Sequence, residues 1–521
     1  MCPGLHHTQL KSVLAMPESN DLYSQLSRNW SNPHKTFLTT KDGKNWTYAD
    51  IEAGSARMAN ALVSAGVEPG DRVAVQTDKS PEAILLYLGC LRAGAVYLPL
   101  NTAYTLSELE YFFTDAEPAM VVVRPAKYEE IAPLTQRLGI KHCVTLGTDA
   151  TGTLIDMTNG QSEVFAGVPR SAQDIAAILY TSGTTGRSKG AMLTHGNLAS
   201  NAQALTQYWE FTEDDVLIHA LPIFHVHGLF TATNVILNAN ASMIFLPKFV
   251  ADDIFEVLPK ASAMMGVPTF YVRLIQDERL TPKATEHMRL FVSGSAPLLA
   301  ETHRAFTAKT GHKILERYGM TETGMNTSNP YDGERVPGAV GFPLPGVLLR
   351  ITDAETGAEL PQGDIGMIEV KGPNVFKGYW RMPDKTAAEF RDDGYFITGD
   401  LGKIDDKGYV HIVGRGKDLV ISGGYNVYPK EIESQIDEMD GVVESAVIGV
   451  PHPDFGEGVA AVVVVEDGAS VTEADVLAHL KGKLASFKMP KRVVFVDAFP
   501  RNTMGKVQKN ILRDTYAGLY S

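Results

Sequence analysis

The sequence predicts a large layered α/β domain followed by a small α+β domain. Three observations predict it. Between Thr47 and Gly147, stretches with helical apolar spacing alternate with short β-branched runs, the pattern of helices packed on sheets. The alternation continues to about residue 400, with a turn-rich stretch at 320–375 that marks a smaller β-rich subregion. After GRGKD (414–418) the chain reads as a separate unit. The boundaries are a tail at 1–16, expected to be disordered, a large domain at 17–415 and a mobile small domain at 416–521.

Taken in order, TYADIEAGSARMANALVSAG is a helix that ends at Gly66, and DRVAVQT (71–77) is a strand. SPEAILLYLGCLRAGA opens with Ser80 and Pro81, a good cap and first-turn pair. AMVVV (119–123), HCVTL (142–146), VLIHAL (216–221), SMIFL (242–246) and LRITD (349–353) are strands. In the small domain, Pro429 starts a helix with Ile432 and Ile436 on one face. SAVIGV and GVAAVVVV are strands, TEADVLAHLKGKLA is an amphipathic helix capped by Thr472, and KRVVFV is a strand.

Bulk properties exclude several classes. A chain of 521 residues is too long for one core. Its net charge of -14 argues against a nucleic-acid-backbone binder, although a local cation cluster can still hold a small anion. The three cysteines, Cys2, Cys90 and Cys143, make neither a metal pattern nor a disulfide framework, which fits a reducing compartment such as the cytoplasm. No apolar run approaches a membrane span.

The strongest local signal is YTSGTTGRSKG (180–190), led in by the strand-like DIAAILY. Gly183, Gly186 and Gly190 allow close backbone approach to phosphate, while Thr181, Ser182, Thr184 and Thr185 add hydroxyls and Lys189 a charge. It is not a Walker A loop, because Ser188 stands where that pattern needs glycine before the lysine. YGMTE (318–322), TGD (398–400), GRGKDLVISGGYNVYPKEIE (414–433) and PRNTMGK (500–506) follow. Together these motifs closely resemble, in order and spacing, the adenylate-forming superfamily of acyl-CoA synthetases, adenylation domains and beetle luciferase.

That resemblance implies an ATP-dependent acid–thiol ligase that uses Mg²⁺ with ATP, and CoA as co-substrate. It implies nucleotide contacts at residues 181–186 and Lys189, at Ser295, Ala296 and Pro297, and at Glu316, Arg317, Tyr318, Gly319 and Thr321. Further contacts follow at Ile412, at Asp400 on the ribose and at Arg415 on the ribose or α-phosphate. Glu322 and Thr181 are the implied Mg²⁺ ligands. Lys506 bridges the α-phosphate and the incoming carboxylate, and His225 orients that carboxylate. The His225/His227 pair is not read as a metal site. Lys417 is the implied hinge between two domain poses, and Ser422, Gly423, Gly424 and Tyr425 shape the CoA tunnel. An exposed Lys506 is also an expected target of a lysine acetyltransferase.

The runs MGVPTFYVRL, SGSAPLLAETHR and LERYGMTETGMNTSNPYDGERVPGAVG resemble the malonyl-CoA synthetases, some of which take methylmalonate. The acid would lie against His225, Arg273, Ser293, Gly294, Ser295 and Met320. Arg273 is expected to face the acyl site, where a buried cation needs a carboxylate partner. A second carboxylate on the substrate would supply one, and Asp277 one turn on is the competing partner. A monocarboxylate–CoA ligase and a carrier-protein loader remain open alternatives.

Overall fold

The computed structural model describes residues 21–181, 188–422, 425–484, 486–502 and 505–520, with only the backbone described at 425 and 426. The expected tail at 1–16 lies outside them. Among the described residues there are sheets of nine, seven, four and five strands.

The seven-stranded sheet carries the loop motif. Its parallel strands Arg72–Gln76, Val96–Pro99, Met120–Val123 and His142–Thr145 are largely buried β-branched runs. Ile175–Thr181 joins parallel to Val96–Pro99, and Lys189–Thr194 returns antiparallel with Thr181 opposite Lys189. The nine-stranded sheet has a parallel centre of Val216–His219, Ala263–Gly266, Leu290–Ser293 and Leu315–Met320.

Helices Tyr48–Ser64 and Pro81–Ala93 pack between these sheets. Every residue of the second is buried, so it is apolar around most of its surface. Ser80 caps it by accepting from the Ala83 N–H, and Gly94 ends it at φ 73°. The two helices meet at glycine: a Cβ on Gly89 would stand 2.6 Å from Met58 Cβ.

The β-rich subregion is an antiparallel sheet of Leu348–Thr352, Gly366–Lys371, Phe396–Ile404 and Val410–Arg415. It runs beyond the expected limit of 375, because its last two strands pair Asp400 with Arg415 across a hairpin. The remaining sheet is built only from residues at 420 and beyond. Its long hairpin, Val442–His452 with Gly456–Val465, packs on helices Pro429–Ile436 and Glu473–Leu480. A Thr472–Asp475 capping box opens the second of these.

Candidate active site

The implied site residues lie at the ends of neighbouring strands, where α/β sheets present ligand sites. Thr181 ends its strand with its hydroxyl 3.4 Å from Glu322 Oε1, so the two implied metal ligands are together. Residues Ser182, Gly183, Thr184, Thr185 and Gly186 lie outside the described residues, and Lys189 begins the return strand. Glu322 is buried; burial raises its pKa, and the Tyr379 hydroxyl 3.1 Å away works against that rise.

Sequence reasoning missed two members of this group. Glu389 holds Lys189 Nζ at 3.0 Å and Lys385 Nζ at 2.9 Å. Tyr379 places its hydroxyl 2.6 Å from Glu389 Oε2, and Lys189 Nζ lies 4.1 Å from its ring centroid. The available signal was GYWRMPDKTAAEF, which joins both residues through one short helix, Pro383–Ala388.

The nucleotide group converges on the two hairpins. Tyr318 donates from its hydroxyl to Asp400 Oδ2 at 2.6 Å, and Arg415 Nε lies 3.3 Å from Asp400 Oδ1. Ile412 sits in the same strand as Arg415, and Thr321 and Met320 are half-buried beside them in sequence to Glu322. Gly319 permits the tight hairpin that turns the chain, since a Cβ there would stand 2.1 Å from the Gly324 carbonyl. Ser295 is held at φ 70°, with Ala296 and Pro297 exposed after it.

Glu316 is held within the fold. Its carboxylate accepts from the Gly338 N–H at 3.0 Å and lies 3.4 Å from His303 Nδ1. Its carbonyl accepts from Asn329. These contacts anchor one carboxylate oxygen and the carbonyl of Glu316 within the fold.

Arg273 departs from the expected burial. The residue is exposed on helix Pro268–Ile275, so burial does not demand a carboxylate for it. The competing Asp277 pair does not form either, because Asp277 is taken by Arg279 at 2.7 Å. Arg317, by contrast, is buried, 4% exposed, and unlike buried Arg92 it is not ringed by hydrogen-bond acceptors. Its Nε and Nη2 have no hydrogen-bond partner, and burial pushes its pKa down to about 9, which leaves it charged at neutral pH.

Other buried polar atoms of this region lack partners too. Ser293 Oγ is buried without one on the neighbouring strand, on the sheet face of Glu316 rather than that of Arg317, and Nε2 of His225 and of His227 are unpartnered as well. His227 Nδ1 lies 3.1 Å from Ser295 Oγ. Burial, reinforced by the Lys506 charge, lowers the His225 pKa to about 4. Burial and then Arg317 push His227 well below its ordinary value. Both imidazoles are therefore neutral near pH 7.

Lys506 comes from the small domain and enters this cleft. It is half-buried, not exposed, and lies close enough to Arg415, Asp400, Glu322 and Arg317 for their charges to act on it. Burial and then Arg415 lower its pKa, while Asp400 and Glu322 act in the opposite sense. Lys417 is exposed in the single turn Gly416–Asp418. Ser422 is buried and pairs with Tyr425, while Gly423 and Gly424 lie outside the described residues. Among the described residues no group of three or more His, Cys, Asp or Glu could hold a metal, and no helix is long and apolar enough to cross a membrane.

Comparison with known proteins agrees with this geometry. ATP-bound MatB from Rhodopseudomonas palustris is 66% identical, with 96% of this chain and 100% of that one covered, and superposes at a TM-score of 0.95. The apo form of that protein, at the same identity and coverage, superposes at 0.85, so the described arrangement follows the ATP-bound form. The malonate–CoA ligase of Arabidopsis thaliana is 34% identical over 530 residues, covering 93% of this chain and 86% of its own. The AMP-binding enzyme model matches residues 27–380, and the AMP-binding enzyme C-terminal domain model matches residues 431–506. The chain belongs to the AMP-binding enzyme family.

Proposed function

We propose that this chain joins malonate, and methylmalonate as a close analogue, to CoA at the expense of ATP. The observation that carries the choice of acid is Arg317. An arginine buried without a counter-ion is costly, and breaking a buried pair of this kind typically costs about 3–5 kcal/mol. A second carboxylate on the substrate supplies the missing partner. His227, close enough to Arg317 to feel its charge, offers Nε2 for a further hydrogen bond to the same small polar acid. We therefore assign Arg317, which the resemblance grouped with the nucleotide contacts, to the acid's distal carboxylate instead, and Arg273 to the outer rim of the pocket.

In the first half-reaction the proximal carboxylate oxygen attacks the α-phosphorus, and pyrophosphate leaves with the electron pair of the broken P–O bond. Negative charge grows on the α-phosphate oxygens, and the Lys506 ammonium stabilises it there. Neutral His225 orients the carboxylate without neutralising it. Asp400 takes the ribose hydroxyls, and Tyr318 and Arg415 hold Asp400 in place. Lys189 exchanges its contact with Glu389 for phosphate oxygens.

Mg²⁺ fits this donor set. Glu322 supplies one carboxylate and Thr181 one hydroxyl, and this ion commonly takes its remaining ligands from substrate phosphates and water. When bound with ATP it neutralises charge on the phosphates.

In the second half-reaction the CoA thiolate attacks the acyl carbon and AMP leaves. We place the domain boundary at Arg415/Gly416 and the hinge at exposed Lys417. Rotation there withdraws Lys506 and brings the Ser422–Tyr425 hairpin to the cleft.

The test is a substrate panel with purified protein, ATP, Mg²⁺ and CoA. Malonyl thioester and AMP should form in equal amounts, with malonate far ahead of acetate, butyrate and benzoate. Preference for a monocarboxylate would overturn the choice of acid, and transfer to a holo-carrier protein but not to CoA would overturn the choice of acceptor.

A further inference from the structure

Lys79 belongs to none of the motifs, yet it begins a chain of hydrogen bonds that ends at the Gly228 carbonyl, next in sequence to His227. It lies between strand Arg72–Gln76 and helix Pro81–Ala93. Its Nζ is 2.8 Å from His219 Nδ1 and 2.8 Å from the His219 carbonyl, and 4.2 Å from the Phe245 ring centroid. It has no carboxylate partner among the described residues. Burial lowers its pKa well below the ordinary lysine value.

His219 is completely buried at the end of its strand. Its Nε2 lies 2.9 Å from the Gly228 carbonyl. A carbonyl can only accept, so Nε2 carries the proton and Nδ1 presents a lone pair, which takes an N–H from Lys79. Both ends of the ring are thereby fixed. Thr233 supports the same carbonyl, its hydroxyl 3.0 Å away.

Gly228 lies at the start of a π-helical turn, His227–Thr233. Such turns leave backbone groups to be held by other means and concentrate at functional sites. Position 228 has no room for a side chain, since a Cβ would stand 2.0 Å from the Pro222 carbonyl. The segment between Pro222 and Gly228 carries His225 and His227.

We propose that Lys79 is a positioning residue for adenylation: through His219 it anchors the Gly228 carbonyl and so holds His225 and His227 against the acid pocket. This rests on the pocket assignment made above, so one of its two tests does not depend on turnover.

In Lys79→Met, pyrophosphate exchange should show the malonate KM raised by about tenfold, with the ATP KM held within about twofold. Lys79→Arg, which keeps a donor, should recover most of the loss. Independently, acylation of His227 by diethyl pyrocarbonate, read by mass spectrometry on the ligand-free enzyme, should be faster in Lys79→Met than in wild type. Equal changes in both KM values, no change in either, or an unaltered acylation rate would overturn the proposal. If Lys79→Met fails to fold, Lys79→Gln carries the same two readings. Wild type that ignores malonate while the acylation rates still differ would fault the pocket assignment and leave the relay standing.

Discussion

Arg317 lies across Gly294: a Cβ added at Gly294 would stand 2.2 Å from the guanidinium carbon. The absence of a side chain at 294 is what gives the buried cation its place. Gly294→Ala should therefore displace Arg317 and lower kcat/KM for malonate by about 10²-fold, on the scale of an interaction lost at a buried charge. ATP binding, followed by nucleotide titration, should change little. Unaltered malonate use in Gly294→Ala would separate Arg317 from the acid.

Arg317 and Arg273 should be distinguishable. Arg317→Met removes the buried partner of the second carboxylate and should abolish malonate use while leaving butyrate use, measured in parallel, equal or improved. Arg273→Met, at an exposed position, should cost about tenfold or less, as expected for a solvent-screened contact. The reverse order in the two kinetic series would move the recognition of the diacid back to Arg273.

Lys506→Ala should separate the half-reactions. Loss of a group that stabilises charge only in the transition state costs about 10²–10³ in rate. That loss should fall on adenylation, while thioester formation from preformed malonyl-adenylate stays near wild type. Equal losses in single-turnover measurements of both steps would contradict the two domain poses.

His195 predicts a pH effect on stability. It is completely buried and accepts from the Leu22 N–H at 3.1 Å, and burial lowers its pKa from 6.5 to about 4. A depressed histidine binds its proton more readily when unfolded. Its contribution, up to about 3 kcal/mol, is present above pH 6.5 and is lost as the pH falls towards 4. Denaturant midpoints of wild type and His195→Gln should converge over that window. A constant difference between them would show that His195 does not titrate as described.

Much of the fold was legible because its signals are local. The strands at Arg72–Gln76, Met120–Val123 and Ser242–Phe245 stand where β-branched runs predicted them, and Ser80 and Thr472 cap the helices they precede. In the small domain the long hairpin Val442–His452 with Gly456–Val465, helix Pro429–Ile436 and strand Arg492–Phe495 were read in place. Helix Glu473–Leu480 ends earlier than expected, and the short strands Val420–Ser422 and Tyr425–Val427 and helix Lys509–Thr515 were not read. What escaped depends on distant neighbours. Nothing local marks the π-helical turn at His227, which answers to a carbonyl held by His219.

The two arginines show the same limit within the site. The period of helix Pro268–Ile275 tells that Arg273 shares a face with neighbouring residues, but not whether that face is covered. Arg317, inside a strand, carried no sign that its guanidinium would be sealed over the glycine that follows the adjacent strand. Nothing local at Glu316 showed that His303 and Gly338, brought in by other elements, would meet one of its carboxylate oxygens.

The most direct measurement is ATP–pyrophosphate exchange without CoA, run with malonate and butyrate on wild type and Arg317→Met. Malonate-dependent exchange in wild type that disappears in the variant, with butyrate exchange retained, is the predicted result. Wild type that exchanges equally well with both acids, or a variant that keeps full malonate exchange, would contradict the account.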